Sequence, residues 1–298
     1  MAQEGRSDKS RRGPQGSGDR GRGAAGGRGR SESPGRGRSA GGRSGGESKQ
    51  WSRPRRDDRP RDERARNEEQ ARYDGPPLDE SISGAELDRN IRQQLRGLPE
   101  KLAARVARHL VAAGQLIDDD PKTAYQHTLA ARARAARVAV VREACGEAAY
   151  AAGEFAEALS ELRAAKRMNG ATDYLPVMAD CERALGRPQK ALDLAKSPAV
   201  KNLPQELQAE MTIVEAGARR DMGDLDAALR TLENAPLRSS SREVWVVRLR
   251  YAYADVLLAA GRTEDAVEWF HRTEGIDGDG VTDATERLAA LEDGPRER

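Results

Sequence analysis

The sequence predicts an all-α protein: a right-handed α-solenoid of antiparallel helix pairs with a disordered N-terminal tail. Three observations carry that expectation. Residues 141–170 (VREACGEAAYAAGEFAEALSELRAAKRMNG) read as two short amphipathic helices joined at a glycine, with small residues (Gly146, Ala149, Ala158, Ala165) where helices must touch and large ones (Tyr150, Phe155, Leu159, Leu162) between. The spacing Gly-x-x-x-x-Ala recurs at Gly153/Ala158, Gly186/Ala191 and Gly223/Ala228, and again as Gly261 with Ala266. One such hairpin cannot bury its apolar face alone, so the copies must stack. The third observation is a change of composition near residue 80.

Residues 1–75 hold 20 Lys+Arg against 12 Asp+Glu, and the rest of the chain holds 31 against 37, so a basic head precedes an acidic body. Half of the 30 glycines lie in the first 50 residues, and beyond alanine the head's apolar content is Met1, Trp51 and Tyr73. Such a segment cannot offset its ordering entropy, and residues 1–80 are expected to be disordered. GRG recurs at 21–23, 27–29 and 35–37. An Arg-rich tail is suited to electrostatic binding of RNA or DNA. Only Trp51 and Tyr73 offer stacking surfaces, and 43 Arg against 8 Lys is also what GC-rich coding produces, so a solubilising tail is the simpler account. The chain shows no leader-type apolar region and no 18-residue apolar run, which predicts a cytoplasmic protein without membrane contact. Cys145 and Cys181 fall on apolar helix faces and read as buried thiols. Without CxxC or Cys/His clusters, neither metal nor cofactor is assigned.

The ordered domain is expected over 81–293. Ser83-Gly-Ala-Glu86 is a capping box for a helix with Leu87, Ile91 and Leu95 on one face, ending at Gly97. Pro99 opens the next helix, whose stripe is Leu102, Val106, His109, Leu110 and Val111, up to Gly114. Asp118, Asp119 and Asp120 resemble a cation site, but Asp120 followed by Pro121 is better read as N-cap and N1 of the following helix. His109 reads as a packed histidine, and His127 has no evident partner. The helices within 99–136 form a degenerate hairpin with an insertion in its turn. Fuller copies span 139–170, 172–203, 209–240 and 247–276; the second loses its pattern at Lys196-Ser197-Pro198. Leu98–Leu102 is echoed by Leu203–Leu207, each opening a helix after a proline. A capping helix, 281–293, carries Leu288 and Leu291 on one face. In the loop 275–286, Asp277, Asp279, Gly280, Asp283 and Glu286 match an EF-hand pattern, but Gly275 and Thr282 depart from it. A turn that caps the last helix accounts for the same residues.

Residues 138–270 resemble the tetratricopeptide repeat, and ADCERALGRP at 179–188 is similar to an uncharacterised tetratricopeptide family of GC-rich bacteria. Position 8 of the repeat is Gly146, Ala179, Ala216 and Ala254; position 20 is Ala158, Ala191, Ala228 and Ala266; position 27 is Ala165, Ala235 and Thr273. Small residues at 8 and 20 let paired helices approach closely. The resemblance implies a groove lined by the first helix of each pair. Position 5 there is Glu143, Pro176, Ile213 and Tyr251; position 9 is Glu147, Asp180, Gly217 and Asp255; position 12 is Tyr150, Arg183, Arg220 and Leu258. The candidate binding residues are Glu143, Glu147, Tyr150, Asp180, Arg183, Arg220, Tyr251 and Asp255. Acidic and apolar groups dominate, which points to a basic or amphipathic peptide, including the chain's own Arg-rich head in cis. No nucleophile–base set occurs, so the chain is read as a protein-binding scaffold and not an enzyme. The competing class is a nucleic-acid- or ribosome-associated factor that uses the tail for affinity.

Overall fold

The structure, a computed structural model, describes residues 74–292. The disorder and the nucleic-acid role expected for the head concern residues that, up to 73, lie outside those described. Among the described residues there are twelve α-helices and no strand: α1 (Arg89–Leu95), α2 (Glu100–Leu116), α3 (Pro121–Ala135), α4 (Ala139–Ala151), α5 (Phe155–Asn169), α6 (Leu175–Ala184), α7 (Pro188–Ala195), α8 (Gln205–Asp221), α9 (Leu225–Glu233), α10 (Val244–Ala259), α11 (Thr263–Glu274) and α12 (Ala284–Glu292). Each packs on the next in sequence, and α2 on α4, α6 on α8 and α8 on α10 also meet.

Four hairpins close on one turn chemistry. Gly153, Gly186, Gly223 and Gly261 all take positive φ, between 71° and 81°. In every case the glycine N–H bonds three residues back and the next N–H five residues back, as in Gly153 to Tyr150 (3.0 Å) and Glu154 to Ala149 (2.8 Å). This Schellman arrangement satisfies the last carbonyls of the first helix and needs a left-handed residue, which glycine supplies without a Cβ penalty. Three residues leave no length for a detour, so the second helix folds back along the first.

The small positions meet as expected. Ala158, Ala191, Ala228 and Ala266 are fully buried, as are Ala179, Ala216 and Ala254. A Cβ at Gly146 would stand 2.6 Å from both Cγ and Cδ2 of buried Leu162 and 3.4 Å from the Ala158 carbonyl oxygen. Cys145 and Cys181 are buried free thiols. Two buried carboxylates, Glu161 and Glu182, join adjacent hairpins: Glu161 of α5 holds Arg132 of α3 and Arg142 of α4, and Glu182 of α6 holds Arg163 of α5 and Arg187 of the turn. A buried carboxylate is tolerable only with such partners.

Several boundaries differ from the sequence reading. The capping box forms, with Ser83 N donating to Glu86 Oε1 at 3.0 Å, but it closes a turn. The helix begins at Arg89 instead, because Asp88 caps it by accepting from Asn90 N at 2.7 Å. Gly114 is not a turn glycine; it lies inside α2, and the four-residue turn follows Leu116. Asp120 caps α3 through Thr123 N, as expected. After α7 a 3₁₀ turn, Pro198–Asn202, replaces the rest of the helix, since Pro198 cannot donate the helical bond. Ala235 falls beyond the end of α9 and is only half-buried. Residues 74–80, expected in the disordered head, are held against the first hairpin: Asp74 pairs with Arg105 and Arg134, and Arg108 donates to the Asp79 carbonyl.

The two interior glycines α2 and α4 carry should respond oppositely to alanine. Gly146→Ala should overpack the Leu162 contact and destabilise by about 1–3 kcal/mol. Gly114→Ala meets nothing within 4 Å and should stabilise by about 0.5–1 kcal/mol through backbone entropy. Thermal and urea unfolding of both variants checks the pair.

Candidate functional site

Because α4, α6, α8 and α10 are held at equivalent positions of their hairpins, their position-9 and position-12 side chains, three residues apart, share one side of each helix. The structure uses them as staples between hairpins: position 12 of one copy reaches position 9 of the next. Tyr150 donates to Asp180 Oδ2 at 2.6 Å, and Arg220 pairs with Asp255. Between those two rungs position 9 is Gly217. Arg183 lies across it, so a Cβ there would stand 2.9 Å from Arg183 Nη1. With that space open, Arg183 Nε donates to Asp221 Oδ2 at 2.7 Å and Nη1 to Asp180 Oδ1 at 2.8 Å. Position 12 of the last copy is Leu258, and Arg287 of α12 supplies the missing cation by binding the other Asp255 oxygen.

A second row lies beside the first. Glu210 of α8 and Arg248 of α10, both at repeat position 2, form a two-bond pair at 2.6 and 2.8 Å. Burial disfavours the Arg248 charge, but Glu210, with Tyr150 and Asp180 nearby, holds its pKa above the ordinary guanidinium value. Arg248 therefore feels residues of α4 and α6 although it belongs to the last full hairpin. Burial and the bond to Asp180 push the Tyr150 hydroxyl well above its ordinary pKa, and burial with a bond to Asp283 pushes Tyr251 up to about 12.

A cavity of about 390 Å³ opens between α8, α10 and the loop before α12. Arg183, Arg220 and Arg248 line it with Ile213, Tyr251, Val281, Asp255 and Asp283. Four of the eight sequence candidates, Arg183, Arg220, Tyr251 and Asp255, meet there, and Asp180 and Tyr150 connect to it through Arg183. Glu143 and Glu147 do not reach it. Glu143 accepts from Asn169 Nδ2 at 2.6 Å and Glu147 from Tyr174, both neutral partners.

The acidic groove expected from the sequence is corrected on this point. Asp180 and Asp255 are neutralised by arginines, and the cavity lining carries three arginines to two aspartates. Among the described residues, negative charge without a cationic partner remains at the α4 end, on Glu143 and Glu147. Arg248 and Glu210 were missed although their shared repeat position was readable. Asp283 and Arg287 lie outside the repeats, where no register points to them.

Two carboxylates of the EF-hand-like loop, Asp277 and Asp283, are engaged by protein donors. Asp277 accepts from Val281 N (2.7 Å), Thr282 N (2.8 Å) and Thr282 Oγ1 (2.7 Å), and Asp283 accepts from Tyr251. Although burial opposes ionisation of Asp277, these donors hold its pKa below the ordinary carboxylate value.

No protein-family profile, curated protein or solved structure matches the chain. Among the described residues no helix is long and apolar enough to cross a membrane.

Gly217→Ala tests the staple geometry. The added methyl meets the mobile end of Arg183, so stability should change by less than about 0.5 kcal/mol. The Arg183–Asp221 coupling in a double-mutant cycle should fall from about 0.5–1 kcal/mol to near zero.

Proposed function

We propose that the chain is a non-enzymatic protein-interaction scaffold of tetratricopeptide type. In this reading the hairpins stack as a right-handed solenoid, the face built by α4, α6, α8 and α10 is its concave side, and a peptide or protein segment binds there. The supporting observation is the arginine-lined cavity at one end of a stapled face whose other end keeps two carboxylates that, among the described residues, have neutral partners, Asn169 and Tyr174. The best-fitting occupant has two parts. A basic stretch suits Glu143 and Glu147, and a stretch bearing carboxylate or carbonyl oxygens and a small apolar side chain suits Arg220, Arg248 and Ile213.

The scaffold reading is supported by what the polar groups are doing. The arginines and aspartates of the face are engaged with one another, which suits recognition more than proton transfer. The two thiols are buried, and burial pushes Cys145 up to about 11 and Cys181 up to about 12, so neither is a ready nucleophile. Unpaired buried thiols also fit a reducing compartment such as the cytoplasm.

Affinity capture with the full chain, compared with Arg220→Ala/Arg248→Ala and with Glu143→Gln/Glu147→Gln, tests this. The same bound protein should be weakened by both double variants, each by about tenfold or more. Its loss should be steeper in salt for the wild type than for the glutamine variant. A captured protein indifferent to both variants would place binding elsewhere.

A further inference from the structure

Ahead of α1, residues 74–88 run as a strap over α2 and α3. Asp74 pairs with Arg105 at 3.0 Å and with Arg134. Arg108 Nε donates to the Ile82 carbonyl at 2.6 Å and Nη2 to the Asp79 carbonyl at 2.8 Å, while Ile82 packs against Val111 and Ala112. Gly75, at φ +75°, sits so low that a Cβ would stand 2.5 Å from Ala130 Cβ and 3.2 Å from His109 Cε1.

Beneath Gly75 two histidines meet. His109 of α2 and His127 of α3 bring their Nδ1 atoms to 3.0 Å, and the residues are only 2% and 3% exposed. A hydrogen bond at that distance needs one Nδ1 to donate and the other to accept, so the pair is bound when one proton lies between the two atoms. A further proton sets N–H against N–H where water is excluded, and His109 Nε2 is itself buried without a partner among the described residues. Among the described residues the charged groups facing the pair are Asp74 from the strap, Arg105 and Arg108 from α2, and Arg134 from α3. The three guanidiniums all oppose an imidazolium at His109.

We infer that the His109–His127 pair is an acid-operated latch that seats the strap 74–87 when neutral and releases it when charged. The strap yields before the hairpin because of what holds each. Helices α2 and α3 share a wide apolar contact that includes Val106, Leu110 and Ala131 and continues into α4 through Val141. The strap is held by Ile82, Leu78 and a few polar bonds, and its departure gives the imidazoles access to water. The strap is also the link to the Arg-rich head, so its release lengthens the tether by which the head is attached to the first hairpin.

The sign follows from burial, which with the fields of His127 and the three arginines pushes His109 down to about 4, and which also lowers His127. The open state binds more protons between that value and the ordinary imidazole value near 6.5, so closure is complete above 6.5 and is lost as pH falls toward 4. The strap's own Glu86, held at about 2 by hydrogen bonds from Ser83 and nearby backbone, and Asp79, also held low by Ser81, stay ionised through this window.

Hydrogen exchange of the full chain at pH 7 and pH 5, corrected for intrinsic rates, tests the latch at the Ile82 amide, which bonds to the Asp79 carbonyl. In the wild type, strap opening should rise about twentyfold, the value that linkage gives for an imidazole moved from about 6.5 to about 4. Amides of α2 and α3 should keep their protection, and His109→Phe should leave the strap closed at both pH values. Strap opening that is unchanged between pH 7 and pH 5, or that rises equally in His109→Phe, overturns the latch. Should His109→Phe fail to fold, an imidazole NMR titration of the wild type decides. Both histidines must titrate in step with strap opening, and a histidine that titrates near 6.5 under a closed strap overturns the inference.

Discussion

The approach of α4 to α5 at Gly146, where Leu162 and the Ala158 carbonyl leave no room for a methyl, sets the spacing on which the other hairpins depend. In the next three pairs alanine stands at both positions, and every one of those alanines is fully buried. The three-residue turn is common to all four hairpins. Equivalent positions then recur at equivalent places, and position 12 of one copy can meet position 9 of the next. The polar ladder from Tyr150 to Arg287 thus rests on packing made by small and apolar side chains.

Within that ladder the exceptions carry the information. Gly217 occupies a position that is acidic in the other three copies, and its missing side chain lets one arginine cross a helix to reach Asp221. Leu258 stands where the others have a hydrogen-bonding side chain, and the capping helix replaces it with Arg287. Gly217 lines the cavity, and Leu258 lies three residues from Asp255, which also lines it. Around Gly217 three guanidiniums, Ile213 and Tyr251 surround open space.

How much of this was legible divides along physical lines. The turn glycines and the small positions were readable because each requires a particular residue type: left-handed backbone at Gly153 and its equivalents, and a minimal side chain at Ala158 and its equivalents. Register then put Arg183, Arg220, Tyr251 and Asp255 together, and all four line the cavity. The charge of that face was not legible, because composition counts Asp180 and Asp255 as negative whereas their arginine partners lie 3 to 35 residues away. Long-range pairing also hid Glu161 and Glu182, which no sequence pattern singles out, and the His109–His127 contact, whose members are 18 residues apart on different helices. Helix starts shifted where a local cap competed, as Asp88 did with Ser83.

The central claim is that the stapled face of α4, α6, α8 and α10 receives a peptide. Site-specific photocrosslinking examines it most directly: a photoreactive phenylalanine analogue replaces Tyr251, inside the cavity, or Trp269, on α11 in contact with Tyr253 and Arg272. The account predicts a covalent adduct with a captured partner from position 251 and little or none from position 269. Adducts from 269 alone, or from both positions equally, would contradict it.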